Sequence, residues 1–243
     1  MKLNCDLGEG YGAWKMPHDQ FIMPYIDMAN IACGFHAGDP LVIQKTLQWA
    51  IESNVSIGAH PSYPDRQGFG RRSMQIEATE LTALIHYQVS ALNGMAQIQG
   101  ASVDYVKPHG ALYNDMMVNP IIFETLVKAV SGFETNLPIV IQATPDWQSF
   151  AAIADKYQVP VWYEAFADRS YRDDGKLVSR QEPHAVLSAS QQLLQVENLV
   201  SKGQVTTESG NTLALKFDTI CVHGDSQNAV DTIKHLCQTL SFI

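Results

Sequence analysis

No segment of this chain approaches the roughly 20 consecutive apolar residues that a membrane-spanning helix requires. The opening residues, Met1-Lys2-Leu3-Asn4-Cys5-Asp6, carry no apolar leader core and run directly into a strand-like segment, which points to a cytoplasmic protein. Basic residues are sparse, with 16 Lys and Arg against 25 Asp and Glu, and they form no stripe, which argues against nucleic acid as a partner. Cysteine is scarce as well. Cys5, Cys33, Cys221 and Cys237 make no CxxC pair, which argues against a zinc ribbon or dithiol centre and leaves small buried hydrophobes in a reducing compartment. There is no Ser/Gly-rich linker and no low-complexity run. The glycine-rich stretch Gly8-Glu9-Gly10-Tyr11-Gly12 is followed by no GK[ST] and opens no helix, so a phosphate-cradling nucleotide fingerprint is missing.

What is present is a regular alternation. The 243 residues, 46% hydrophobic, have ample material for a large core. Short apolar runs at 1–6, 28–34, 55–59, 103–107, 138–143, 159–165 and 217–223 read as buried strands. Amphipathic helices are predicted between them, over 40–53, 77–99, 120–131, 146–156, 184–200 and 226–240. The helix over 77–99 carries Leu81, Leu84, Ile85, Val89, Leu92 and Ala96 at helical spacing. Asp39-Pro40, Asn119-Pro120 and Thr144-Pro145 each offer a capping acceptor followed by a proline at the first helical position, where the missing N–H costs nothing. Strands alternating with helices imply a parallel sheet, closed into a barrel or open and doubly wound.

Six of the apolar runs end in chemically capable clusters, and this spread decides between the two. The clusters are Asn4-Cys5-Asp6, Gly34 to Asp39, Gly58-Ala59-His60-Pro61, Val106 to Gly110, Glu164 to Arg169, and Val222-His223-Gly224-Asp225. An open sheet draws its site from a few strand ends, whereas a barrel collects it from nearly all of them. The expected fold is therefore α/β, a seven- or eight-stranded (β/α) barrel forming one domain over 1–243. A small hairpin at 203–216, turning at Glu208-Ser209-Gly210-Asn211, interrupts it before the last strand.

Because side chains alternate along a strand, Asn4 and Asp6 share a face, as do Lys107 and His109, and His223 and Asp225. Four strand-end histidines, His36, His60, His109 and His223, suit proton transfer or metal ligation, while His18, His86, His184 and His235 read as surface or packing residues. Asp6 reads as a base, ligand or substrate anchor. Lys107, at a strand end, reads as an amine with a depressed pKa or an oxyanion partner. Glu164 and Asp168 can divide acid and base roles, and Arg169, with Arg172 nearby, can clamp a carboxylate. The long irregular loop 61–72 carries Arg66, Arg71 and Arg72, which can face an anionic substrate or a partner.

The strings NCDLGEGYG, ANIACGFHAGDP, GAHPSYPDRQGFGRR, VKPHGALYN, EAFADRSY and CVHGD resemble the LamB/YcsF family over residues 1 to about 225. The resemblance implies a distorted barrel of the glycoside hydrolase/deacetylase type. It also implies the role of the A subunit in a bacterial ATP-dependent 5-oxoprolinase, opening 5-oxoproline to glutamate with ATP hydrolysis and subunits B and C. The matching positions are Asp6, Glu9, His36, His60, Lys107, His109, Glu164, Asp168, His223 and Asp225. Catalysis is expected of Asp6, His36, His60, Lys107, His109, Glu164, His223 and Asp225, and substrate binding of Asn4, Glu9, Asp168, Arg169 and Arg71. ATP is expected to be handled with the partner subunits. The competing readings are a metal-dependent hydrolase such as a carbohydrate deacetylase, holding its ion with Asp6, His36, His60 and His223, and a non-catalytic component that only positions substrate.

Overall fold

The computed structural model describes residues 1–16, 18–224 and 229–241. Seven parallel strands close a barrel: β1 (Lys2–Leu7), β2 (Met28–Ala32), β3 (Ser56–His60), β4 (Tyr105–Val106), β5 (Ile139–Gln142), β6 (Val161–Phe166) and β9 (Thr219–Cys221), in the ring order β1-β2-β3-β4-β5-β6-β9. Closure runs through β9, which pairs with β6 on one side (Glu164 beside Thr219) and with β1 on the other (Asn4 beside Cys221). The hairpin is formed by β7 (Gln204–Thr206) and β8 (Thr212–Ala214), paired antiparallel outside the barrel. Among the described residues, no helix is long and apolar enough to cross a membrane.

The helices are α1 (Asp19–Ile22), α2 (Pro40–Glu52), α3 (Ala78–Ile98), α4 (Gly110–Val118), α5 (Pro120–Val130), α6 (Trp147–Asp155), α7 (Ala189–Lys202) and α8 (Ala229–Ser241). Two of the three proline starts cap as the sequence predicts. The Asp39 carboxylate accepts from the N–H groups of Leu41 and Val42, and the Asn119 side chain accepts from Ile121 N–H, each cap being worth about 1 kcal/mol. The third shifts: Thr144 Oγ1 accepts from Asp146 N–H at 3.3 Å, and α6 begins only at Trp147. The helix expected from 184 begins instead at Ala189. Gln191 reaches back to accept from Ser188 N–H at 2.9 Å, while Val186 is drawn into a bridge with Arg169. Helices α1 and α4 have no counterpart among the predicted elements, being too short or too weakly amphipathic to show a period.

The strand parity inferred from the sequence holds past the end of β4. Lys107 N–H donates to Ala59 O and His109 N–H to Pro61 O, both at 2.8 Å, so the extended geometry carries through Pro108. The lower barrel is plugged by Met28, Tyr105 and Val140, with Trp162 against them. Gly58 makes room for the plug, since a Cβ there would lie 2.2 Å from the Tyr105 ring. Outward-facing residues such as Leu3, Cys5, Leu7, Ala29 and Ile31 join the larger core beneath the helices.

Candidate active site

Above the apolar plug the barrel interior turns polar. Asn4 donates to Thr219 Oγ1 at 3.0 Å and accepts from Asn30 at 2.8 Å. Asn30 also donates to Asp6 Oδ1 at 2.8 Å and accepts from the Tyr105 hydroxyl at 2.7 Å. Lys107 Nζ sits in the middle, 3.0 Å from Asp6 Oδ1, 3.0 Å from Glu164 Oε2, 3.2 Å from Asn4 Oδ1 and 3.2 Å from Cys221 Sγ. Lys107 is only 3% exposed. Burial pulls its amine down, but Asp6, Cys221 and Glu164 outweigh that and hold it well above the ordinary lysine value. The amine is thus a fixed cation, not the depressed-pKa amine offered as one reading of the sequence. Glu164 is its counter-ion, fully buried beneath it, with neither oxygen receiving an aligned hydrogen bond.

The next layer holds three imidazoles. His60 ends β3, His109 sits at the N-cap of α4 and His36 follows β2. His60 Nδ1 lies 2.7 Å from Lys107 O, and His109 Nε2 lies 2.9 Å from Phe69 O. The facing nitrogens, His60 Nε2 and His109 Nδ1, are 2.9 Å apart. His36 stacks flat on His109 with centroids 3.7 Å apart, and its Nε2 is 3.1 Å from Glu9 Oε1. Burial, and then the neighbouring imidazoles, push His36 and His109 well below the ordinary histidine value. The two carboxylates of this layer diverge. Burial raises Glu9 above its ordinary range, whereas at Asp6 burial is outweighed by His60, Lys107 and His223, which hold it well below. The loop 61–72 seals this layer. Phe69 packs edge-on against His36 and His109, and Arg71 lies over the Phe69 ring at 5.1 Å. Gly70, at φ +65°, passes so close that a Cβ would lie 2.8 Å from the His109 ring.

On the far side, His223 Nδ1 lies 2.7 Å from Asp168 Oδ2 while its Nε2 points towards Asp6 Oδ2, 3.9 Å away. Burial would raise the Asp168 carboxyl, but His223 and Arg180 bring it below its ordinary value. An ionised carboxylate on one nitrogen fixes the ring orientation and leaves the other nitrogen for chemistry.

These groups open onto one cavity of about 710 Å³. Asp6, Glu9, His60, Lys107, His109, Arg71, Arg169 and His223 line it. Asn4, His36, Glu164 and Asp168 stand behind as supports and are not on its wall. Arg169, expected to clamp substrate, has its guanidinium committed to the carbonyls of Val178 and Ala185, so it fastens the segment that follows β6. Arg72 pairs with Asp65, Arg66 with Gly34 O and the Tyr11 hydroxyl, and Arg172 with Glu182. Asp225 lies outside the described residues. Several wall residues escape sequence reading: His18, read as surface or packing, Asp19 on α1, Tyr113 on α4, and Lys176 and Arg180 beyond β6. Asp19 accepts from Gly8 N–H at 2.8 Å, and burial raises its carboxyl to about 6. Asn30 was open to detection, because a lone amide inside the apolar run Met28-Ala29-Asn30-Ile31-Ala32 needs partners.

Fold and site together define a (β/α)-barrel protein with its acid–base groups gathered at the C-terminal mouth of the strands, where barrel enzymes keep their active sites. The chain belongs to the LamB/YcsF family, whose profile matches residues 1–242. It is 50% identical over 237 residues to the A subunit of 5-oxoprolinase from Vibrio cholerae serotype O1, covering 97% of this chain and 96% of that one. Among solved structures, the lactam utilization protein from Thermus thermophilus is 34% identical, with a TM-score of 0.91 over 100% of this chain and 96% of the other. A family 4 carbohydrate esterase from Streptomyces lividans, 12% identical with a TM-score of 0.52 over 100% of this chain and 88% of that one, shares the barrel fold. The donor group that the fold brings together differs from the deacetylase-like set Asp6, His36, His60 and His223. Among the described residues, the group of three or more His, Cys, Asp and Glu whose donor atoms all lie within 4.8 Å of one another is Glu9, His36, His60 and His109, and neither Asp6 nor His223 belongs to it.

Proposed function

We propose that this chain is the A subunit of a cytoplasmic, ATP-dependent 5-oxoprolinase, acting with subunits B and C to open 5-oxo-L-proline to L-glutamate. The substrate reading rests on the near full-length likeness to a protein named for that activity. The chemical reading rests on one observation: two carboxylates of one cavity are driven in opposite directions, Asp6 down and Glu9 up, beside an imidazole oriented by Asp168. Such a pairing separates base from acid.

The lactam carbonyl is a poor electrophile because amide resonance must be lost. Transfer of the ATP γ-phosphoryl group to the lactam oxygen releases ADP and activates that carbon. Water then adds, giving a proton to a base, for which His223 is placed. The ring nitrogen takes up a proton, for which Glu9 is the suited donor, and the C–N bond breaks to leave an acyl phosphate. A second water releases phosphate and glutamate, so the balance is one ATP and two waters per ring opened. Lys107 keeps Asp6 ionised, and the cationic wall of Arg71 and Arg180 suits a substrate carrying carboxylate and phosphate. No nucleotide fingerprint occurs in the chain, so ATP is assigned to the assembly with subunits B and C.

The test is reconstitution. The chain alone, incubated with ATP and 5-oxoproline, is expected to form no ADP and no glutamate; with subunits B and C, both are expected in equal amounts. Turnover by the chain alone would sink the division of labour. Absence of glutamate from a fully assembled complex would sink the function.

A further inference from the structure

The cluster of His36, His109 and His60, the first two stacked and His60 edge-on to both, contains a contact that proton placement in neutral rings does not satisfy. His60 Nδ1 and His109 Nε2 each face a backbone carbonyl, at 2.7 and 2.9 Å. A carbonyl oxygen only accepts, so each of those nitrogens carries the ring's hydrogen. The remaining nitrogens, His60 Nε2 and His109 Nδ1, are then bare lone pairs, and they face each other at 2.9 Å. The other atoms nearby are acceptors too: Glu9 Oε1 is 3.5 Å from His109 Nδ1, and Asp6 Oδ2 is 3.4 Å from His60 Nε2. Four acceptor atoms thus converge on one small space.

We infer that His60 Nε2, His109 Nδ1 and Glu9 Oε1 form a binding site for a divalent first-row transition ion. The separations suit one. Donors bonded at about 2.1 Å stand roughly 3.0 Å apart at octahedral angles and roughly 3.4 Å apart at tetrahedral ones. Two imidazoles and a carboxylate select ions of the Zn²⁺, Co²⁺, Fe²⁺ or Mn²⁺ kind over Mg²⁺ or Ca²⁺, which favour all-oxygen shells. His36 is not a ligand although it stands in the same group. Its ring is parallel to His109 within 4°. An imidazole lone pair lies in the ring plane, and no point lies in both of two stacked planes. With no partner for Nδ1, His36 carries its hydrogen on Nε2 and donates it to Glu9 Oε1 at 3.1 Å. All three ligands therefore have an outer partner that orients them: Lys107 O, Phe69 O and His36. Glu9, His60 and His109 all line the cavity, so open positions face the substrate space. A bound ion there supplies Lewis-acid polarisation of a carbonyl or an acidified water. Binding does not depend on the 5-oxoprolinase reading, and it is measured without turnover.

The test uses the full chain after chelation, titrated with Co²⁺ by visible absorption and with Zn²⁺ by calorimetry. One ion per chain is expected, with cobalt d–d bands. Glu9→Gln and His109→Ala are each expected to weaken binding by about 100-fold or more, and His36→Phe, which keeps the stack but loses the donor, by about 10-fold. His235→Ala, at an exposed position, is expected to change nothing. Absence of cobalt bands at saturating ion from folded protein would mean that a shared proton joins His60 to His109, and would overturn the inference. So would wild-type affinity in folded Glu9→Gln, which is nearly isosteric and guards against loss of fold in His109→Ala.

Discussion

Replacing Lys107 by Met probes the centre of the barrel. The substitution keeps the stem's volume and removes one cation from between Asp6 Oδ1 and Glu164 Oε2, each 3.0 Å away. Two buried carboxylates then share an interior without the amine that bridged them, and breaking a buried pair in this way costs about 3–5 kcal/mol. For a chain of this size each kcal/mol moves the midpoint by about 2–4 °C, so Tm is expected to fall by about 6–20 °C. The loss carries a sign in pH. Without the amine, one carboxylate gains a folded-state pKa above its unfolded one. Stability attached to that proton is full below the unfolded value and is lost as pH rises through the folded value. Lys107→Met is therefore expected to be worse at pH 8 than at pH 5. Adding Glu164→Gln removes the surplus charge and is expected to restore more than half of the loss. Thermal and urea unfolding of the single and double variants at both pH values would measure this. A Tm within 2 °C of wild type at pH 8, or no rescue by Glu164→Gln, would refute the reasoning, since the amine would then hold nothing together.

Three further outcomes follow from the same geometry. Gly58→Ala places a methyl 2.2 Å from the Tyr105 ring and is expected to cost about 1–3 kcal/mol in urea unfolding, with the Tyr105 to Asn30 bond lost. Asp19, with a folded-state value of about 6 against an ordinary 3.8, contributes stability that is complete below 3.8 and lost as pH rises through 6, about 3 kcal/mol in all. Asp19→Asn is thus expected to stabilise the fold relative to wild type at pH 8 and not at pH 4, again by urea unfolding. Asp168→Asn leaves the shape but removes the charge that orients His223, and in the reconstituted complex kcat is expected to drop about 100-fold or more with KM little changed.

The parts of the site that were legible in the sequence are those governed by short-range rules. Apolar runs marked the strands, and the period of two placed Asn4 with Asp6 and Lys107 with His109 on the inner face, because extended backbone alternates and the ladder to β3 continues to His109. Depth was not legible. Glu164 and His36 occupy strand-end clusters just as His223 does, yet one lies beneath Lys107 and the other is stacked on His109 with Phe69 edge-on against it. Arg169 had the composition of a substrate clamp, but carbonyls that a loop brings back from Val178 and Ala185 claimed it. Asp19 and His18 reach the wall through a four-residue helix too short to leave a periodic trace.

The central claim is that this cavity performs hydrolysis within a 5-oxoprolinase. It is tested most directly by glutamate formation from 5-oxoproline and ATP in complexes reconstituted with subunits B and C, using wild-type chain, Asp6→Asn and His223→Ala, with assembly checked by gel filtration. Wild-type complexes are expected to form glutamate, and both variants, fully assembled, to lose at least about 100-fold of that rate. Near-normal turnover by either assembled variant would contradict it and leave the chain a component that only positions substrate.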